Sequence, residues 1–168
     1  MEKQTLKDYE KMKVIHSNAA GIDVGSKSHF VAIGQQKDEV REFGCYTNEL
    51  HGLCRWLKEK SVDTVALEST GSYWQSLFVM LQDYGLNPIL VNGKFTRNVK
   101  GRKSDVLDCQ WIQKLHMLGL LEGSFIPDIF TETLLQYCRH RQTLLEDDAG
   151  YIKKMQKALR LTNIRLDV

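Results

Sequence analysis

Four acidic side chains in three short contexts carry the chemistry this chain could do. They are Asp23 in Ala-Gly-Ile-Asp-Val-Gly, Glu68 in Val-Ala-Leu-Glu-Ser-Thr-Gly, and the pair Asp105 and Asp108 in Lys-Ser-Asp-Val-Leu-Asp. Asp23 and Glu68 each close a short apolar run and are followed at once by small turn residues, which presents a carboxylate at the end of a buried strand. Asp105 and Asp108 are three apart at the start of an amphipathic stretch, so they share a helix face. Carboxylates brought together this way repel one another and are costly to desolvate unless a divalent cation lies between them. An all-oxygen donor set suits Mg²⁺ or Mn²⁺, the ions that serve phosphoryl transfer on nucleic acids. On residue chemistry alone, the sequence reads as a metal-dependent nuclease or recombinase core.

The elements that must position these acids follow from hydrophobic patterning. Residues 1–17 are polar and read as a flexible lead-in. Strands are expected over Asn18–Val24, Ser28–Gly34 and Val40–Tyr46, joined by turns too short for parallel crossovers and therefore forming an antiparallel meander. A helix over Asn48–Lys60 places Leu50, Leu53, Trp56 and Leu57 on its apolar face. A buried strand over Asp63–Leu67, a helix over Tyr73–Tyr84 stopped by Gly85, and a strand over Leu86–Val91 complete the pattern. Three antiparallel strands followed by helix–strand–helix–strand predict an α/β fold, a ribonuclease H-like mixed five-stranded sheet with flanking helices. A long helical arm follows from Thr131.

Asn92–Lys103 concentrates positive charge. Lys94, Arg97, Lys100, Arg102 and Lys103 fall there with no acid among them, between Gly93 and Gly101. Beside an acidic metal site such a loop reads as a nucleic-acid backbone clamp; a solvated surface loop is the plainer alternative. Ser104 is placed to cap the next helix, and Asp105 near its positive end suits capping as well as metal binding. Asp108, a turn further in and in line with Ile112 and Leu115, is less readily explained by capping. In the arm, Leu145, Ile152, Leu159 and Leu166 recur every seven residues, while Arg139, Arg141, Lys153, Lys154, Lys157, Arg160 and Arg165 coat the rest. This is a helix packed on its own domain or an arm for self-association and nucleic-acid contact.

Bulk properties bound the reading. The 168 residues carry a net charge of +2, with 42% hydrophobic and 26% charged residues, as expected of one globular domain with an extension. No apolar run approaches the roughly 20 residues of a membrane span, so no membrane partner is expected. Cys45, Cys54, Cys109 and Cys138 lack Cys-x-x-Cys spacing, which argues against a zinc knuckle or disulfide framework and fits a cytoplasmic location.

The three acidic motifs, in this order and spacing, resemble the N-terminal RuvC-like catalytic domain of the DEDD insertion-sequence transposases, relatives of the Piv-type DNA invertases. The resemblance extends from about Asn18 through Arg139-His140-Arg141-Gln142 to Asn163-Ile164. It implies that Asp23, Glu68, Asp105 and Asp108 are the catalytic, metal-binding tetrad, holding Mg²⁺ or Mn²⁺ at a scissile phosphate, with Asp23 the bridging ligand. It also implies DNA as partner, a structured guide RNA in some members, and DNA transposition or inversion as the activity. The expected organisation is a lead-in (1–17), the RuvC-like domain (18–125) and a helical extension (126–168) that would lead to a second domain. In the family that domain carries a serine nucleophile, which none of Ser69, Ser72 and Ser104 matches. A homo-oligomer through the C-terminal helix is expected. The rival reading is a non-enzymatic module that binds DNA or RNA and self-associates. Gly-Ile-Asp-Val-Gly-Ser also resembles the first phosphate loop of actin-like ATPases, but those proteins need a second such domain with its own Asp-x-Gly loop.

Overall fold

A computed structural model of the protein describes residues 12–69, 71–93 and 104–165. The chain divides into two compact units, Met1–Ser124 and Phe125–Val168. In the first, strands β1 (Ala19–Val24), β2 (Ser28–Ala32), β3 (Val40–Gly44), β4 (Thr64–Ser69) and β5 (Asn87–Val91) form one sheet in the order β3-β2-β1-β4-β5. The first three strands are antiparallel neighbours, and β4 and β5 run parallel to β1. Helices α1 (Thr47–Glu59) and α2 (Trp74–Asp83) supply the crossovers that parallel pairing requires. Helix α3 (Asp105–Met117) follows β5. This is the ribonuclease H-like arrangement that the patterning predicts.

Burial explains the order. Val65, Ala66 and Leu67 on β4 are fully buried, as expected of a parallel strand covered on both faces. In α1 the expected stripe of Leu50, Leu53, Trp56 and Leu57 is buried. Trp74 opens α2 half-buried, its ring edge-on to Phe78 at 5.6 Å, whereas Tyr73 is exposed. His29 is buried on β2.

One boundary differs in a way that matters. Patterning ends the fourth strand at Leu67, yet β4 continues through Glu68 to Ser69 because β1 beside it supplies partners as far as Val24. Glu68 therefore lies inside β4, one residue before its end.

At the opposite end of the sheet His116 is buried, its ring stacked on His16 at 5.0 Å. The Thr64 hydroxyl donates to the Asn87 carbonyl at 3.0 Å, so His116 Nε2 donates to Thr64 Oγ1 at 2.9 Å. Burial first, and then the charge of His16, push the His116 pKa down to about 4. On acidification the unfolded chain takes this proton near 6.5 while the fold refuses it until about 4, so stability falls as pH drops through that window. Urea midpoints across the window should decline more steeply for the wild type than for His116→Gln. Parallel declines would assign the acid sensitivity to other groups.

The second unit contains α4 (Ile129–Leu161), 33 residues long. It begins two residues before the expected Thr131 because Asp128 caps it, accepting from Thr131 N at 2.9 Å and from Thr131 Oγ1 at 2.8 Å. Those hydrogen bonds, the backbone one first, hold the Asp128 carboxyl below its usual range. Phe130, Leu134, Tyr137, Leu144, Tyr151 and Met155 are exposed along it at heptad spacing, beside the seam of Leu145 and Ile152. No helix among the described residues is long and apolar enough to cross a membrane. Leu166, the last member of the expected seven-residue repeat, lies outside the described residues.

Candidate metal centre

The site begins with how closely α3 lies on the sheet. Ala19, Gly21 and Asp23 alternate onto one face of β1. Directly beside Gly21 stand Ala32 on β2 and Ala66 on β4, both fully buried. These small residues form a trough in which the α3 backbone rests. A Cβ at Gly21 would meet Cys109 O at 2.6 Å and would also strike Gln113 N. Ile112 fills the adjoining space against Ala66 and Val91. Hydrogen bonds fix the helix along its axis: Gln113 Nε2 donates to Ala19 O at 3.2 Å, Gln35 Nε2 to Gln113 Oε1 at 2.7 Å, and Gln110 Nε2 to Gln35 O at 2.9 Å.

With Cys109 and Gln113 seated over Gly21, the first turn of α3 reaches the end of β1, where Asp23 projects. Ser104 starts the helix there, its hydroxyl accepting from Leu107 N at 3.3 Å. One carboxylate oxygen from each of Asp23, Asp105 and Asp108 lies within 4.8 Å of the other two. Asp23 and Asp108 are half-buried and Asp105 is exposed. Three carboxylate oxygens this close together would suit a hard divalent cation such as Mg²⁺ or Mn²⁺. Helix α3 also directs its N-terminal dipole at this spot, which lowers the cost of gathering negative charge.

Glu68 pairs with Asp23 across β1 and β4 and shares its face of the sheet. Its carboxylate is outside the three-acid group and lies against Gly93, where a Cβ would stand 2.5 Å from Glu68 Oε1. The structure therefore gathers three of the four predicted acids and sets the fourth on the adjacent strand at the same level. Lys94, Arg97, Lys100, Arg102 and Lys103 lie outside the described residues.

Cys109, beneath the acids, is not a ligand. Burial first, then the charge of Asp23 and, less strongly, that of Asp108, push its thiol up to about 12, and its Sγ donates to Val106 O at 3.1 Å. A cavity of about 300 Å³ opens beside Asp23 and Asp105, lined also by Lys27, Ser28 and Phe30. Phe30 stands directly across from Asp23 on β2. Sequence reasoning passed over Phe30, Gly21 and Gln113. The signal for Gln113 was available, since it breaks the apolar face of α3.

Residues 20–164, well over half of the chain, match the IS110-type DEDD family, described as a transposase. No curated protein matches the chain. Among solved structures, Thermus thermophilus RuvC in complex with a Holliday junction substrate is similar, at 13% identity and a TM-score of 0.46, covering 63% of this chain and 98% of that one. Another structure of Thermus thermophilus RuvC is 14% identical with a TM-score of 0.43, covering 63% and 99%.

Proposed function

This chain belongs to the IS110-type DEDD transposase family, and from that premise we propose that it is the catalytic domain of a DNA transposase or recombinase. In this reading Asp23, Glu68, Asp105 and Asp108 hold Mg²⁺ or Mn²⁺ against a scissile DNA phosphate. The observation that carries it is the convergence of Asp23 from β1 with Asp105 and Asp108 from α3, their oxygens within 4.8 Å of one another. Bound there, divalent cations supply activation of an attacking oxygen and charge stabilisation at the leaving oxygen.

The protein's own contributions are positional. Strand β1 fixes Asp23, the trough around Gly21 sets the height of α3, and that height sets where Asp105 and Asp108 point. Glu68, opposite Asp23 on the neighbouring strand, would complete the donor set for a bound cation. Lys27, in the cavity beside Asp23, offers a cation to the phosphate. Helix α4, with two adjoining apolar seams over most of its length, associates with the same helix of a second copy.

Calorimetric titration of Mn²⁺ into the chain, alone and with a branched DNA duplex, tests this reading. Metal binding that tightens with DNA is expected. Absence of metal binding in both conditions would leave a DNA- or RNA-binding, self-associating module. The basic residues have their own test. Neutralising Lys100, Arg102 and Lys103 together should reduce the slope of log affinity against log salt by about 2–3, one counterion per lost phosphate contact. An unchanged slope would return that segment to a solvated surface role.

A further inference from the structure

The Gly25–Ser26 turn that ends β1 has a cavity on each side. On the side of α3 is the cavity containing Asp23 and Asp105. On the other, beneath α1 and α2, is a separate space of about 250 Å³ walled by His29, Cys45, Leu50, Ser72, Tyr73 and Ser76. Gly25 and Ser26 line both. His29 belongs to the second face because it pairs with Val24, whose side chain points away from that of Asp23.

The chemistry of this second wall is selective. It contains no formally charged side chain. Burial lowers the His29 pKa, so the imidazole is neutral, and burial, then Glu49, raises that of Cys45, so its thiol stays protonated. Neither a phosphate nor a cation finds a complement there, and His29 and Cys45 belong to no three-ligand group among the described residues. What the wall offers is hydroxyls, an imidazole and an aromatic ring, the complement of a neutral, planar, hydrogen-bonding group. One buried nitrogen, His29 Nδ1, has no hydrogen-bond partner among the described residues, although His29 is only 2% exposed. Buried polar atoms are nearly always satisfied, and the residue that carries this one lines the cavity. The volume is below the ~300–1,000 Å³ of sites for larger small molecules, which leaves room for one heterocycle.

Resting on the function proposed above, we infer that this cavity receives one nucleobase, unstacked from the DNA strand whose phosphate lies at Asp23, Asp105 and Asp108. Gly25 and Ser26 alone line both cavities, so a strand crossing this turn with a phosphate on the acid side brings a flanking base to the other side. Extruding a base in this way couples sequence reading to the cleavage position without any charge at the reading site.

The test uses a branched DNA labelled with 2-aminopurine at successive positions of one strand, bound to the chain with Ca²⁺, a hard cation that oxygen ligands also hold. Emission should rise at one label position, where the base leaves the stack. Ser76→Phe, at an exposed position of α2, fills the cavity without altering the buried core. It should abolish that rise and weaken DNA binding about tenfold, the loss of one base contact, with Ca²⁺ affinity unchanged. His29→Ala should also abolish the rise; Ser76→Phe decides the matter if His29→Ala fails to fold. DNA binding with no responsive position, or a rise that survives Ser76→Phe, overturns the base pocket and leaves the metal centre standing. Failure of the wild type to bind the DNA at all overturns both.

Discussion

Gly21→Ala should destabilise the protein by ~3 kcal/mol, at the upper end for an overpacked site, and should take the metal centre with it. The reason is that the added methyl would press on backbone, not on a side chain that could turn aside. It would meet Cys109 O at 2.6 Å and strike Gln113 N, and flanking Ala32 and Ala66 leave no slack in the trough. Relief requires α3 to rise from the sheet, which breaks the Gln113–Ala19 hydrogen bond and carries Asp105 and Asp108 away from Asp23. Gly52→Ala is the matched control. Nothing lies within 4 Å of the Cβ it would add to the interior of α1, so the same change there should stabilise by ~0.5–1 kcal/mol through helix propensity. Urea unfolding of the two variants should therefore shift in opposite directions. A Gly21→Ala midpoint close to the wild type would mean that the helix does not depend on this contact.

The trough also shows what could be read before folding and what could not. Asp23 was legible because it ends an apolar strand before a Gly-Ser turn, a purely local pattern. The pair Asp105 and Asp108 was legible from spacing and the Ser104 cap. Glu68 was legible as the acid at the end of a buried strand, but the continuation of β4 past it to Ser69 was not, because the strand is prolonged by pairing with β1, a partner more than forty positions away in sequence. Gly21 was visible only as a letter in a motif. That it is the point where a helix touches a strand depends on which face of the sheet α3 covers, which periodicity does not specify. The face of α3 was read from Asp108, Ile112 and Leu115; the buried set is Cys109, Ile112, Gln113, Leu115 and His116. Two of those five are polar, and they are buried because Ala19 O, Gln35 and Thr64 satisfy them. Such satisfaction is a tertiary property, invisible to a hydrophobic count.

Asp23→Asn should weaken divalent-ion binding by more than about 100-fold, beyond the 10–100-fold typical of losing a group that merely orients a ligand. Asp23 stands apart from the other acids in two respects. It is rooted on the central strand, paired on both sides by β2 and β4, so within the three-acid group its position is less adaptable than those of the two acids on the first turn of α3. It is also the one acid that the three-acid group draws from the sheet, whereas Asp105 and Asp108 come from the same turn of α3. Losing either helical acid leaves Asp23 and one helical carboxylate within the three-acid group; losing Asp23 leaves that group only the two carboxylates of α3. Asparagine keeps the shape and hydrogen-bonding capacity but removes the charge, so the fold should be retained and the circular dichroism spectrum unchanged. Asp105→Asn, at the exposed position, should cost less metal affinity than Asp23→Asn. Calorimetric Mn²⁺ titrations of the two variants order the ligands directly. Metal affinity that survives Asp23→Asn would sink the tetrad assignment. Affinity lost equally in both would point to a site centred on the helix N-terminus rather than on the strand.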